Sequence, residues 1–275
     1  MCRLAHDYTV ATRSLTDQKR KPMLKLYHAE PVANSMKVLI TLHEKGLAFE
    51  SRYVDLHKFE QHEPWFLAIN PEGQVPVLDH NGFIVTHSTV INEYLEDAFT
   101  EHPLRPGDIH ERARMRYWNK FIDEHVMNHV SMHGWHRMVR KIAQAIDKDE
   151  LEKLLERIPL KEQRDKWRTV AGSSFTEEQL AEATRKVSVA IDMFEKQLGE
   201  TKYLACDSFT LADINAYSHC GMMAERMFPD LATRNETPNF LAWVDRVNRH
   251  PGVQKALAGP DHTNPALRTF TGRVT

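Results

Sequence analysis

Between Leu24 and His28 apolar and polar residues alternate (LKLYH), the period of a strand with one buried face. The next stretch, ANSMKVLITLHEKGL, changes period. Met36, Leu39, Ile40 and His43 recur at helical spacing, and Gly46 supplies a C-terminal stop. FESRYVDL (Phe49–Leu56) returns to a strand pattern. VPVLDHNGFIV holds two short strands around Asn81-Gly82, a pair that favours a tight hairpin turn because both residues tolerate positive φ. A helix from Ser88 to about Phe99 closes the unit. The order β-α-β followed by β-β-α predicts a mixed sheet, a parallel crossover joined to an antiparallel hairpin. That is the arrangement of a thioredoxin-like α/β domain. Pro76, where the third strand begins, fits it as a cis proline.

From about Gly107 the strand signals stop and the period becomes helical throughout. HERARMRYWNKFIDEHVMNHV sets Ala113, Tyr117, Phe121, Val126 and Val130 near one stripe. FTEEQLAEATRKVSVAIDMFEKQL reads as a second long amphipathic helix. In SFTLADI, Thr210 followed three residues later by Asp213 is a capping box with Asp in place of Glu or Gln. PNFLAWVDRVNRHPGV gives a shorter helix ended by Pro251. The expected organisation is therefore an extension over 1–22 and an α/β domain over 23–100. A linker containing HPLRPGD leads to an all-α helical bundle over 107–258 and a tail over 259–275. No internal repeat is visible.

Charge and composition narrow the function classes. Lys plus Arg (36) nearly balance Asp plus Glu (38), which removes any general pull toward nucleic acid or an anionic membrane surface. No apolar run approaches the roughly 20 residues of a membrane helix. The first 22 residues lack the apolar block of a secretory signal, and the three cysteines have no paired or metal-like spacing, so a reduced, cytoplasmic protein is the expectation. His125, His129 and His133 share a helix face, but no Glu accompanies them in a His-Glu-x-x-His pattern, and no metal is expected.

Three blocks stand in a recognisable order: NPEGQVPVL (Asn70–Leu78), STVINEYL (Ser88–Leu95) and SFTLADI (Ser208–Ile214). Together they resemble the cytosolic glutathione S-transferases, across both halves of the chain. PVANSMK, KFEQHEPWFLAINPEGQVPVL, HGWHRM and IPLKEQRDKW carry a narrower resemblance, to the bacterial glutathione-dependent β-aryl etherases, which cleave the β-O-4 ether of lignin-derived aryl ketones. The resemblance implies a glutathione S-transferase fold, glutathione as co-substrate, a small aromatic substrate and a homodimer. It also implies a displacement in which the glutathione sulfur attacks the carbon bearing the aryl ether and a phenolate leaves. A general transferase or dehalogenase on other aromatic electrophiles shares those residues, as does a non-catalytic binding protein, and fold alone does not separate them.

The resemblance assigns roles residue by residue. Val75, before Pro76, would pair with the cysteinyl backbone as an added strand does. Ser88 would hold the γ-glutamyl carboxylate at a helix N-terminus, where a plain helix cap is the alternative. Gln74 is a neighbouring contact, and Lys58 and His62 are candidates for the glycyl carboxylate. Ser35, with Asn34 assisting, stands where a donor at the start of the first helix would lower the thiol pKa; ordinary capping is again the alternative. Trp118, His129, Trp135 and His136 are candidates for the wall of the aromatic pocket. One position departs from the family pattern. His87 stands where an acidic residue usually meets the γ-glutamyl ammonium, and a partner-subunit carboxylate is one compensation.

Overall fold

The computed structural model describes residues 23–30, 33–221, 228, 230–233 and 235–259. The expected extension over 1–22, and the tail beyond Gly259, lie outside the described residues. Strands β1 (Leu24–His28), β2 (Phe49–Tyr53), β3 (Val77–His80) and β4 (Phe83–Thr86) form one sheet in the order β2-β1-β3-β4. β1 runs parallel to β2 and antiparallel to β3, as the alternating pattern required. Asn81 and Gly82 both take positive φ (56° and 88°), and Asp79 Oδ1 accepts the Gly82 N–H at 2.6 Å, closing the hairpin.

Helices α1 (Ala33–Glu44), α2 (Pro64–Leu67) and α3 (Ser88–Ala98) complete this half. The second half begins at Asp108, whose carboxylate accepts the His110 and Glu111 N–H groups and starts α4 (Ile109–Phe121). A widened i→i+5 turn at Ile122–Val126 leads into α5 (Met127–Gly134), and another at Trp135–Val139 leads into α6 (Arg140–Ala145). The buried stripe here is Met115, Trp118, Ile122, Val126 and Val130, whereas Ala113 and Tyr117 are exposed. The expected stripe needed a five-residue step from Phe121 to Val126. The four-residue steps back from Val126 select the neighbouring row instead.

α7 (Lys148–Glu156) and α8 (Lys161–Ala171) build a small second core of Leu151, Leu155, Ile158, Trp167 and Val170, which Phe59 joins from the α/β half. The Phe59 and Trp167 rings lie 4.6 Å apart, and Arg157 pairs with Glu63 at 2.6 Å. The segment Ile158–Trp167 thus clasps the loop that precedes β3. The long helix α9 (Glu177–Leu198) starts at a full capping box, Thr176 with Gln179. α10 (Leu211–Ala216) starts at the Thr210–Asp213 box, where buried Asp213 also accepts from the Leu204 N–H and Trp243 Nε1. α11 (Pro238–Asn248) and α12 (Pro251–Ala258) follow. Pro251 ends nothing by itself: it opens α12 at the first helical position, where its missing N–H costs little.

α1 is buried almost all round because it packs on α3 and also on α10 and α12 of the helical half. That double burial takes in Lys37, whose side chain is only 1% exposed and whose ammonium reaches Asp123 Oδ1 at 2.9 Å. The two halves therefore meet over an ion pair set within apolar packing.

Candidate active site

The loop Asn70–Pro76 is fixed from within. Buried Asn70 donates to the Gln74 carbonyl at 2.8 Å and accepts from the Glu72 N–H at 3.1 Å. Gly73 has φ +64°, and a Cβ there would stand 2.6 Å from the His62 ring, so both backbone and space demand glycine. The Val75–Pro76 peptide is cis. Val75 lies just short of β3, and its amide and carbonyl have no backbone hydrogen bond among the described residues.

Facing this loop is the start of α3. Its cap position is His87, at φ 63° and ψ 115°, with no side-chain cap bond. Ser88 is consequently not a capping residue. It is the first residue of the helix, and its hydroxyl donates to Asn34 Oδ1 at 3.2 Å. The first amides of α3 are left for a ligand, and an anion is what they and the macrodipole favour. Asn34, Gln74, Val75, Pro76, His87 and Ser88 share one open cavity of about 740 Å³, completed from α4 and the turn after it by Arg116, Asn119, Lys120, Asp123 and Glu124.

The other sequence candidates stand elsewhere. Ser35 is buried and its Oγ accepts the Ala29 N–H at 3.1 Å; it does not line the cavity, while its neighbour Asn34 does. Lys58 extends into solvent beside Asp55. His62 is buried behind Gly73, where burial and the nearby Arg157 charge hold its pKa down at about 4, so the ring is neutral. Trp118 belongs to the main core against Phe194. Trp135 packs edge-on to Trp167 in the second core, and His136 Nδ1 meets Ser174 Oγ at 2.9 Å. His129 lines a smaller cavity of about 480 Å³ with Tyr117, Phe121 and His125, which shares Lys120 and Glu124 with the first.

Most of the polar residues that complete the cavity escape sequence reasoning, Glu72, Thr89 and Asp123 among them. Asp123 accepts from Lys37, from Thr89 Oγ1 at 2.6 Å and from Asn215 Nδ2 at 3.1 Å. Burial pushes its carboxyl up, but Lys37 and these donors outweigh burial and hold it below the usual carboxylate range. A lysine set between Met36 and the apolar run Val38–Leu39–Ile40 was the visible sign that an anion approaches α1.

Two family models match this chain in order: the glutathione S-transferase N-terminal domain over residues 22–97 and the glutathione S-transferase C-terminal domain over 126–251. The chain belongs to the glutathione S-transferase family. Among its relatives, protein LigF of Sphingobium sp. strain SYK-6 is 44% identical over 237 residues, covering 84% of this chain and 92% of the relative. The crystal structure of β-etherase LigF from that strain superposes with a TM-score of 0.82 at 42% identity, over 86% of this chain and 99% of that one. Glutathione transferase F7 from Populus trichocarpa follows at a TM-score of 0.68 and 25% identity, over 86% and 98%.

Proposed function

We propose that this transferase is a glutathione-dependent β-etherase acting on lignin-derived β-aryl ether ketones. The observation that carries the reading is its likeness to LigF along nearly the whole of that relative, in sequence and in fold. The cavity agrees chemically. Val75 offers an amide and a carbonyl to the cysteinyl backbone, and Ser88 with the α3 amides offers an anion site to the γ-glutamyl carboxylate. Gln74 lies between them. Asn34, lining the cavity at the start of α1, would face the sulfur, and Ser35, its buried neighbour, fixes the Ala29 amide. In the reaction a C–S bond forms at the carbon next to the ketone as its C–O bond breaks. The electron pair leaves with the phenolate, and the thiol proton is lost before attack.

The division near residues 100–107, into a glutathione-binding half and a substrate half, is part of this reading. So is a homodimer: Phe83 (59% exposed) and Val90 (55%) present apolar surface on β4 and α3. Among the described residues no helix is long and apolar enough to cross a membrane. Buried Cys206 and Cys220, both free, suit a reducing, cytoplasmic setting. Of the four ring-bearing pocket candidates, His129 lines the cavity adjoining the glutathione site. Incubation with glutathione and each enantiomer of a β-aryl ether ketone should release phenol and leave a glutathione thioether. Conjugation of simple aromatic halides without any phenol release would point instead to a general transferase.

A further inference from the structure

The geometry points to Glu72 as the residue that holds the ammonium group of the glutathione γ-glutamyl end, in place of the acidic residue that His87 displaces. The inference rests on the glutathione reading above and adds a specificity-determining carboxylate from the same chain.

The argument is one of elimination. A γ-glutamyl α-carbon carries a carboxylate and an ammonium together, so a site that takes the first at the α3 N-terminus needs an anion beside it for the second. Five carboxylates line the cavity: Glu72, Glu93, Asp97, Asp123 and Glu124. Glu93 is shared between Arg105 (4.0 Å) and Arg116 (3.7 Å), and Asp97 pairs with Arg105 at 2.7 Å. Asp123 is committed to buried Lys37, with Thr89 and Asn215 on its oxygens. Glu124 pairs with Lys120 one turn away. Among the described residues, Glu72 has no lysine or arginine partner. Its neighbour is His87, whose Nε2 stands 3.5 Å from Glu72 Oε2.

His87 also ties the carboxylate to the right end of the site. It is the residue before Ser88, and its backbone conformation, outside the ordinary left-handed well, aims the ring across the cavity mouth toward the Asn70–Pro76 loop. A neutral imidazole there can only donate Nε2–H to the carboxylate and brings no charge of its own, which leaves the Glu72 charge for a cation. The contact is charge-assisted and exposed on both sides, so it contributes discrimination between ligands more than tight binding.

The test is a cycle between protein and ligand, read by calorimetry. Parent and Glu72→Gln are each titrated with glutathione and with its des-amino analogue, in which glutaryl replaces γ-glutamyl. Glu72→Gln should weaken glutathione about three- to fivefold and change the analogue less than about 1.5-fold, because the analogue has no ammonium to lose. Equal effects on both ligands, or no effect on either, would overturn the assignment while leaving glutathione binding intact. A parent chain that binds neither ligand would overturn the proposed function itself, and this assignment with it. Glu72 is half exposed and, among the described residues, carries no bond through its side chain apart from His87, so the variant should fold as the parent does.

Discussion

Ser88 and His87 exchange the roles that their positions suggest. His87 occupies the cap without capping, and Ser88, already inside α3, spends its hydroxyl on Asn34. Loss of an N-cap side chain costs about 1 kcal/mol, so a Ser88 that capped α3 would show that cost on truncation. The structure gives another expectation. Ser88→Ala should weaken glutathione about tenfold in a calorimetric titration. Its cost in urea unfolding, about 1 kcal/mol for the lost bond to Asn34, should largely vanish in an Asn34→Ala background, as the cost of a lost cap would not. His62 carries a second prediction. Its folded pKa, about 4, lies below the ordinary histidine value near 6.5, so between those values the unfolded chain binds the proton and the folded chain does not. Stability is therefore lost as pH falls from 6.5 toward 4. The loss attributable to His62 should reach on the order of 2 kcal/mol at pH 5, and His62→Gln should show a shallower decline in urea midpoints between pH 7 and pH 5.

At the scale of elements, strands and caps were legible and helix faces less so. β1 falls on LKLYH as read, because alternation in a half-buried strand depends only on local sequence. The Thr210–Asp213 box was equally plain, since caps are local chemistry. Its second duty was not: Asp213 also takes the Leu204 N–H and the indole N–H of Trp243, one residue nine positions back and the other thirty ahead. Asp213→Ala removes the acceptor from several buried donors at once and should cost about 3 kcal/mol or more in urea unfolding, with Tm falling accordingly. The face of α4 was misplaced by one row because the widened turn at Ile122–Val126 breaks simple periodicity. Pocket residues were hardest to read. Trp118, Trp135 and His136 are the residue types that line an aromatic site, yet packing claims the two indoles and Ser174 claims the imidazole.

Across the whole molecule the two halves are joined by Lys37 and Asp123, a pair that only tertiary structure could bring together. Replacing one partner alone leaves a buried charge without compensation. Asp123→Asn should cost about 3–5 kcal/mol, and Lys37→Met with Asp123→Leu should recover most of it. The sign with pH follows from the carboxyl, whose folded pKa lies below its unfolded one. Its stabilisation is present above the unfolded value and is lost as pH falls through the folded value. The gap between parent and Asp123→Asn should therefore narrow in strong acid, as measured by urea unfolding at successive pH values. α12 closes the other end of the same interface. Gly252 lies so near Glu44 that a Cβ would stand 2.7 Å from its backbone nitrogen, which explains a glycine where helix propensity alone would prefer alanine.

The clasp of Phe59 against Trp167 gives the protein an optical label of its own. An indole tilted against a phenyl ring 4.6 Å away, and flanked edge-on by Trp135, emits according to that packing. Phe59 lies in the short turns between β2 and α2, upstream of the cis-proline loop, and a shift of that segment on ligand binding would change the surroundings of the fluorophore. A titration of intrinsic emission with glutathione would read such a shift in real time, without a dye, an engineered probe or turnover.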